Sequence, residues 1–439
     1  MPRRVGNVRW RIATLLGVGI IINYFDRVNL SVATTPLMKE FHFTNAEIGL
    51  LLSSYLWSYT LLQIPVGALL DRIGIKWMMR VGTILWSIAS FMTAIVSGLG
   101  LILLSRILLG IGEAPAFPGA SKATGYWFPV RERGRATTFF DAAAKFSSAL
   151  GLPVVALAVA SYGWRAGFVM TGILSLLYAI AFWLFYRDPS ESGSISETER
   201  EYIVEGGSQQ EGAVPTNTAA NLGFLLRQRK IWGLTLGFSC YNYAFNLFLV
   251  WLPGFLQIQL HASVLKSGLY LVVPWLVAGV TDVLVGGVLV DKLISSGYEP
   301  TKVRRVLFTI GMLLGTAAIG AALTTNVNIA VTWLTISLAG LAFAAPIAWS
   351  IPSLIAPKGT VGTVGGIMNF LGNLAGIVAP IVAGIVADHT GFGVNFLITG
   401  AILLVGIFCF LFILGSIEQI EAPPAEISGI TEIRRTPAA

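Results

Sequence analysis

The sequence predicts an all-α membrane protein with twelve transmembrane helices in two six-helix bundles. Of its 439 residues, 55% are hydrophobic and 12% are charged, whereas a soluble domain carries about 25% charged residues. The hydrophobic residues form long uncharged stretches, including 12–25, 81–96 and 396–414. Such stretches suit membrane-spanning helices, which need roughly 20 apolar residues. They lack the alternation of apolar and polar residues that marks the strands of a membrane barrel, so that class is excluded.

The order of the apolar blocks divides the chain into two halves. The blocks predict six helices, a long polar break at 187–230, and six more helices. We therefore expect an N-terminal bundle (1–190), a linker (191–227), a C-terminal bundle (228–417) and a disordered tail (418–439). In the linker, the run SISETEREYI has a cap-like serine and predicts a short surface helix. The predicted spans are 10–34, 46–70, 77–97, 99–123, 134–160, 165–186, 229–258, 266–290, 304–324, 328–351, 359–386 and 393–416.

The distribution of basic residues predicts the orientation of the chain. With twelve spans, most of the 29 lysines and arginines lie on the side of the N-terminus, and the opposite side carries Lys39, Arg165 and Lys266. The positive-inside rule then places both termini and the linker in the cytoplasm and the chain in the inner (plasma) membrane. The basic start of the chain resembles a signal peptide. However, its apolar run continues into Asp26 and Arg27 without a small-residue cleavage site, which indicates a retained first helix.

A short pattern recurs along the chain and indicates an internal repeat. Glycine is followed four residues later by aspartate at the ends of the second, eighth and eleventh spans, at 67–71, 287–291 and 384–388. Two repeated halves joined by a linker suggest a binding site between them near the middle of the membrane. Asp71, Arg72 and Asp291 are candidates for gating the change between conformations. The simpler alternative is an ion-pair staple at the membrane surface.

Four of the charged residues inside predicted spans mark a candidate site. A charge at mid-membrane costs roughly 2.5–3.5 kcal/mol on insertion scales, so each one is a functional candidate. Asp26 and Arg27 are adjacent in the first span and point about 100° apart. Arg106 and Glu113 are seven residues apart in the fourth span, which puts them on one face about 10 Å apart. The alternative for these residues is a fixed structural ion pair.

Several segments of the chain resemble the major facilitator superfamily. The loop 67–76 is similar to the signature loop of that superfamily. Further segments resemble its anion:cation symporter branch, which includes bacterial sugar-acid/proton symporters and vesicular glutamate and sialic-acid transporters. The resemblance covers the whole chain except the linker and tail, and it implies the major facilitator fold. The segments that carry the branch resemblance are 23–27, 106–115, 117–133 and 163–168.

The resemblance implies a secondary active transporter that moves an organic anion together with protons by alternating access. The implied substrate is a sugar acid such as galactonate, glucarate or a hexuronate. Glu113 is then the central proton carrier and Asp26 the second one. Arg27 and Arg106 are the charge partners of these carboxylates and of the substrate, because a guanidinium binds a carboxylate through two parallel hydrogen bonds. An aromatic or short-chain carboxylate, sodium coupling and a non-transporting membrane sensor remain as alternatives.

Uncharged polar residues and one lysine extend the candidate substrate site. The asparagines could bond substrate hydroxyls or hold helices together. Lys145 could contact the substrate or pair with Asp141 one turn away. The family often has an amide at the position of Ala144, so its absence here weakens the inference of a plain sugar acid. The candidates are Tyr24, Tyr59, Lys145, Ser350, Asn369 and Asn373.

Other function classes lack a supporting motif. The sequence has no phosphate-binding loop for ATP, no cluster of metal ligands and no nucleophile triad. We therefore expect no cofactor and no enzymatic activity. The net charge of +7 is explained by the cytoplasmic loops, so no nucleic acid is expected as a partner. The expected partners are a small organic anion, protons and the lipid bilayer, and the chain is expected to act as a monomer.

Overall fold

The computed structural model describes residues 6–209, 219–357 and 360–421. Twelve long helices form the body of this part of the chain, and no strand occurs in it, as the sequence predicts. The N-terminal six are α1 (Val8–Val32), α2 (Asn45–Ile73), α3 (Ile75–Ile95), α4 (Leu99–Trp127), α5 (Val130–Tyr162) and α6 (Trp164–Phe185). The C-terminal six are α7 (Arg229–Ile258), α8 (Val264–Leu284), α9 (Pro300–Ala322), α10 (Val327–Ile355), α11 (Val361–Thr390) and α12 (Phe392–Leu414).

Nine of these helices are long and apolar enough to cross a membrane, counted over the described residues. Of the other three, α5 contains a shorter apolar stretch, Phe146–Tyr162, among its described residues. The helices α2 and α7 are long but contain more polar residues. The asparagines of α7 face the interior of the protein, where they lie buried against α11. The prediction of twelve spans is therefore confirmed by helix number and length.

The structure differs from the predicted spans at several helix ends. The first span begins and ends two residues earlier than predicted, and a separate short helix, Thr34–Phe41, follows it. In α4 the α-helical hydrogen bonding is interrupted between Glu113 and Ala116. Pro115 explains this interruption, since proline has no N–H to donate and its ring clashes with the preceding turn. The break places Glu113 at the last residue of the helical segment Leu99–Glu113.

The two halves meet on the side of the membrane opposite the N-terminus. A Cβ at Gly49 of α2 would lie 2.3 Å from the Pro380 carbonyl oxygen of α11, and one at Gly384 would lie 2.2 Å from that of Asn45. Glycine is therefore required for this backbone-to-backbone approach. Asp388 closes the contact: its carboxylate accepts from the N–H groups of Asn45 and Ala46, each at 2.9 Å, at the start of α2.

The other ends of the same two helices show no such approach at their glycines. A Cβ at Gly67 of α2, or at Gly362 or Gly365 of α11, would meet no atom within 4 Å. These three glycines lie toward the side of the N-terminus and have open space beside them.

The linker is packed against the N-terminal half. Its helix Glu197–Glu205 confirms the predicted surface helix, and the Ser196 hydroxyl caps it. The Glu199 carboxylate is fully buried and accepts from the N–H groups of Val8 and Arg9, each at 3.2 Å, at the start of α1. The Arg9 guanidinium also binds Glu199 at 2.9 Å and Glu132 of α5 at 2.8 Å. The first part of the linker is thereby fixed to the N-terminal bundle.

Candidate functional site

The centre of the N-terminal bundle holds a buried ion pair between α1 and α4. Nε of Arg27 donates to Oε2 of Glu113 at 3.1 Å. The Glu113 side chain is fully buried and that of Arg27 is 7% exposed. A buried pair of this kind is expensive to desolvate, and removing one partner leaves an uncompensated charge in a low dielectric. A change in the charge of either residue must therefore be balanced by another charge within the site.

Three tyrosines surround the Arg27 guanidinium. Its carbon lies 4.9 Å from the ring centre of Tyr24, 5.3 Å from that of Tyr55 and 5.0 Å from that of Tyr59. Each ring can attract the cation through its negative face. These contacts orient the guanidinium while leaving N–H groups for another acceptor. Tyr24 and Tyr59 thus lie where the sequence analysis predicts a substrate site.

Arg106 lies beside the same cluster. Its Nη1 donates to the main-chain carbonyl of Asp26 at 3.3 Å, and its guanidinium carbon is 5.3 Å from the Tyr55 ring centre. Tyr55 therefore contacts both buried arginines. The sequence offers Tyr55 as a polar candidate of the first half, together with Tyr24 and Tyr59, but it does not place this residue between the two arginines.

Three buried polar atoms of this cluster have no hydrogen-bond partner among the described residues. They are Nη2 of Arg27, Nε of Arg106 and Oε1 of Glu113. Buried polar atoms are normally satisfied by protein, water or ligand. Two donors and one acceptor on charged groups suit an anion bound by the arginines beside a carboxylate that can take up a proton. The arrangement can thus bind an organic anion and a proton next to each other.

Asp26 has a different environment from Glu113. Its carboxylate accepts from the Trp86 indole at 2.5 Å and from the hydroxyls of Ser90 at 2.7 Å and Ser175 at 2.8 Å. These donors are uncharged and come from α3 and α6. Sequence reasoning missed them, because Trp86 and Ser90 stand in an apolar run that carries no sign of a polar contact. The proton-carrying role of Asp26 remains a prediction.

Glycines of α4 allow this close packing. A Cβ at Gly110 would lie 2.1 Å from the main-chain oxygen of Tyr55 in α2, and one at Gly112 would lie 2.5 Å from the main-chain nitrogen of Trp86 in α3. Side chains at these positions would push α4 away from both neighbours. The glycines therefore hold α4, which carries Glu113, against Tyr55 and Trp86, and these two side chains contact Arg27 and Asp26 respectively.

The predicted polar residues of the second half lie on α10 and α11. Ser350 is half-buried and donates to the carbonyl of Ile347 in its own helix at 2.7 Å. Asn373 is buried and Asn369 is half-buried, and neither has a hydrogen bond to another described residue. Asn246 lies next to this face, because a Cβ at Gly376 would come within 2.7 Å of its Nδ2. These amides can donate hydrogen bonds to, and accept them from, a ligand between the halves.

For most of the remaining candidates, the structure describes the helical position but not the side chain. Asp71, Asp291 and Lys145 occupy helical positions, but their side chains are outside the described part, as is that of Asp141. Arg72 is exposed at the end of α2. The gating and substrate-contact predictions for these residues therefore remain predictions.

The fold and the buried ionic site define a multi-pass membrane transporter with two helical bundles. The sequence profile of the Major Facilitator Superfamily matches residues 16–380 and 302–438. The chain belongs to the Major Facilitator Superfamily, as the signature loop predicts. It is a transporter and not an enzyme, in agreement with the sequence analysis.

Relatives with similar sequences are transporters by name. The chain is 42% identical over 421 residues to the uncharacterized transporter YybO of Bacillus subtilis, covering 95% of this chain and 97% of that protein. It is 30% identical over 421 residues to the D-galactonate transporter of Escherichia coli O6:H1, covering 94% of this chain and 97% of that protein.

A solved structure shows the same fold. The inward-facing, occupied form of a bacterial homologue of the human lysosomal transporter Spinster matches with a TM-score of 0.75 and 18% identity. The match covers 93% of this chain and 97% of that one. At this identity the likeness concerns the arrangement of helices and carries no information on the substrate.

Proposed function

We propose that the protein is a proton-coupled symporter of an organic anion, and that the substrate is a sugar acid such as galactonate, glucarate or a hexuronate. The observation that carries the proposal is the Arg27–Glu113 pair, 3.1 Å long and buried. Two atoms of the pair have no hydrogen-bond partner among the described residues. Nη2 of Arg27 can donate a hydrogen bond to an anion, and Oε1 of Glu113 can take up a proton.

Coupling follows from the charge balance of this pair. While Glu113 is ionised, it neutralises Arg27, and an incoming carboxylate would add an uncompensated negative charge at low dielectric. Protonation of Glu113 removes its charge and leaves the guanidinium to bind the substrate. Proton binding and anion binding therefore favour each other, and by linkage the effect is reciprocal. Arg106 supplies a second cation beside the same space, and Asp26 serves as the second proton carrier.

The sugar-acid class is supported by two features. The D-galactonate transporter of Escherichia coli aligns with nearly the whole chain. A sugar acid has a carboxylate at one end and several hydroxyls along its chain. The arginines of the N-terminal half suit the carboxylate, and Ser350, Asn369 and Asn373 of the C-terminal half suit the hydroxyls. A ligand bound to both halves would couple its own binding to their relative movement.

We place both termini and the linker in the cytoplasm and the chain, as a monomer, in the inner membrane. The excess of lysine and arginine on the side of the N-terminus supports this orientation. With it, the open space beside Gly67, Gly362 and Gly365 lies toward the cytoplasm. The cross-half contact of Asp388 with the start of α2 then closes the outer side.

Transport by the purified protein in proteoliposomes tests the proposal. We expect galactonate or a related aldonate or aldarate to accumulate above its external concentration when the lumen is alkaline. We also expect the external medium to become less acidic as substrate enters. Accumulation that follows a sodium gradient and ignores the pH gradient would contradict proton coupling. Uptake of benzoate or acetate with no uptake of sugar acids would contradict the substrate class.

A further inference from the structure

A groove between α1 and α6 lies away from the central site. Its volume is about 740 Å³. Along α1 its lining runs from Val8 to Ile22, a rise of about 20 Å at 1.5 Å per residue. That length exceeds half of the roughly 30 Å hydrocarbon core of a bilayer. Apolar side chains line most of it, including Ile12, Leu15, Val18, Leu174, Leu177 and Leu184.

The outer wall of this groove is apolar and exposed. Leu177 is 57% exposed, Leu184 is 60% exposed and Phe185 is 69% exposed. In a membrane-spanning helix, such positions face the acyl chains of lipids. The groove is therefore reached from the bilayer, and its natural occupant is a lipid.

The end of the groove nearest the N-terminus carries positive charge. Arg11 and Arg187 line it together with Ser192 and Ser194. The Arg187 guanidinium donates to the carbonyls of Trp183 and Tyr186, at 2.9 and 2.7 Å, which fixes its direction. Neither arginine forms an ion pair with a carboxylate among the described residues.

The acidic side chains beside the groove have other partners. Glu191 pairs with Lys76 at 2.6 Å, and Asp188 accepts from the Tyr186 hydroxyl at 3.1 Å. The Ser192 and Ser194 hydroxyls bond to each other at 3.1 Å, which leaves one hydroxyl hydrogen free to donate. That hydrogen and the remaining N–H groups of the two guanidinium groups are available at the mouth. This combination suits a phosphate group.

A buried hydroxyl lies within the groove. Tyr178 lines it, is 3% exposed, and its hydroxyl has no hydrogen-bond partner in the described part of the chain. Gly19 of α1 makes room for this ring, because a Cβ there would come within 2.2 Å of the tyrosine oxygen. A buried hydroxyl without an acceptor is costly. An ester carbonyl of a lipid would supply that acceptor.

We infer that this groove binds an anionic phospholipid from the leaflet next to the N-terminus. The phosphate lies against Arg11 and Arg187, and one acyl chain lies along the apolar wall of α1 and α6. The Tyr178 hydroxyl donates to the lipid's ester carbonyl. Basic pockets between transmembrane helices on the cytoplasmic side are suited to such headgroups. The site is separate from the Arg27–Glu113 pair, so the inference stands without the proposed function.

Native mass spectrometry of the full chain tests the site, with phosphatidylglycerol and phosphatidylcholine of identical acyl chains as probes. We expect retention of phosphatidylglycerol in preference to phosphatidylcholine. The double variant Arg11→Gln/Arg187→Gln is expected to bind phosphatidylglycerol about 30-fold more weakly, about 2 kcal/mol for two arginines. Arg227→Gln, an exposed arginine outside the groove, is the matched control and should bind as the wild type does.

A second variant separates the lipid backbone from its headgroup. Tyr178→Phe is expected to weaken the binding of both lipids while preserving the preference for phosphatidylglycerol. Equal retention of the two lipids by the wild type would overturn the inference. Unchanged retention of phosphatidylglycerol by the double variant would overturn it as well, because the charge would then come from elsewhere on the surface.

Discussion

Nε of Arg27 lies 3.1 Å from Oε2 of Glu113, and both side chains are buried at the middle of the N-terminal bundle. The pair joins α1 to the end of the first segment of α4, where Pro115 interrupts the helix. In the proposed cycle, Glu113 binds Arg27 while it is ionised. When Glu113 takes up a proton, it releases Arg27, which can then bind the substrate.

Replacing the guanidinium by an ammonium tests the role of Arg27. Arg27→Lys keeps the charge but loses the planar fork that matches a carboxylate. We expect substrate affinity to fall about 10- to 100-fold, since a hydrogen bond to a charged group contributes about 1.5–3 kcal/mol. The measurement is the concentration dependence of the thermal shift by galactonate. Arg227→Lys, at an exposed position, should leave the affinity unchanged.

Asp26 can be tested with an isosteric amide. In Asp26→Asn the amide can still bond to Trp86, Ser90 and Ser175, because each serine hydroxyl can donate or accept. We therefore expect a folded protein that exchanges substrate across the membrane but accumulates less of it under a pH gradient. Uptake measured at several external pH values checks this. Wild-type accumulation at every pH would show that Asp26 holds helices together and carries no proton.

The contact between Asp388 and the start of α2 should stabilise the conformation described here. A carboxylate at a helix N-terminus satisfies free N–H groups and interacts with the helix dipole, together about 1–2 kcal/mol. Asp388→Ala should therefore shift the population toward the opposite-facing state by about tenfold. Spin-label distances between the ends of α2 and α11 measure this shift. The control is His389→Ala, because this exposed side chain bonds to its own helix through the Ile385 carbonyl. An unchanged distance distribution in Asp388→Ala would assign the contact no role in the equilibrium.

Glu199 should be a stabilising residue of the N-terminal half. Its buried carboxylate binds Arg9 and the first N–H groups of α1, so Glu199→Ala leaves Arg9 partly unpaired. We expect a loss of about 3 kcal/mol in the free energy of unfolding. Glu197→Ala, two residues earlier with a side chain 77% exposed, should change it by less than about 0.5 kcal/mol. Chemical unfolding in detergent compares the two. Equal effects would mean that the linker helix is not anchored by this carboxylate.

The sequence predicts well those features that depend on burial of charge. Asp26, Arg27, Arg106 and Glu113 were identifiable because a charge inside an apolar span is costly and needs a reason. The twelve helices were identifiable because a helix that crosses the bilayer needs an apolar stretch as long as the hydrocarbon core is thick.

Contacts between distant helices were less accessible to sequence reasoning. Trp86, Ser90 and Ser175 surround Asp26 only because α6 packs against α1 and α3 packs against α6. Tryptophan and serine are common in any span. The pattern at 384–388 was visible as an echo of the signature loop. Its contact with the other half depends on the relative position of two bundles, which local periodicity does not encode.

Uptake by Glu113→Gln tests the central claim most directly. The amide keeps the shape of the side chain and can accept from Arg27, but it cannot carry a proton. We predict that this variant exchanges labelled galactonate for unlabelled galactonate at a rate independent of pH. We also predict that it fails to accumulate galactonate when an inward proton gradient is imposed. Accumulation by Glu113→Gln at the wild-type rate and with the wild-type pH dependence would contradict the account.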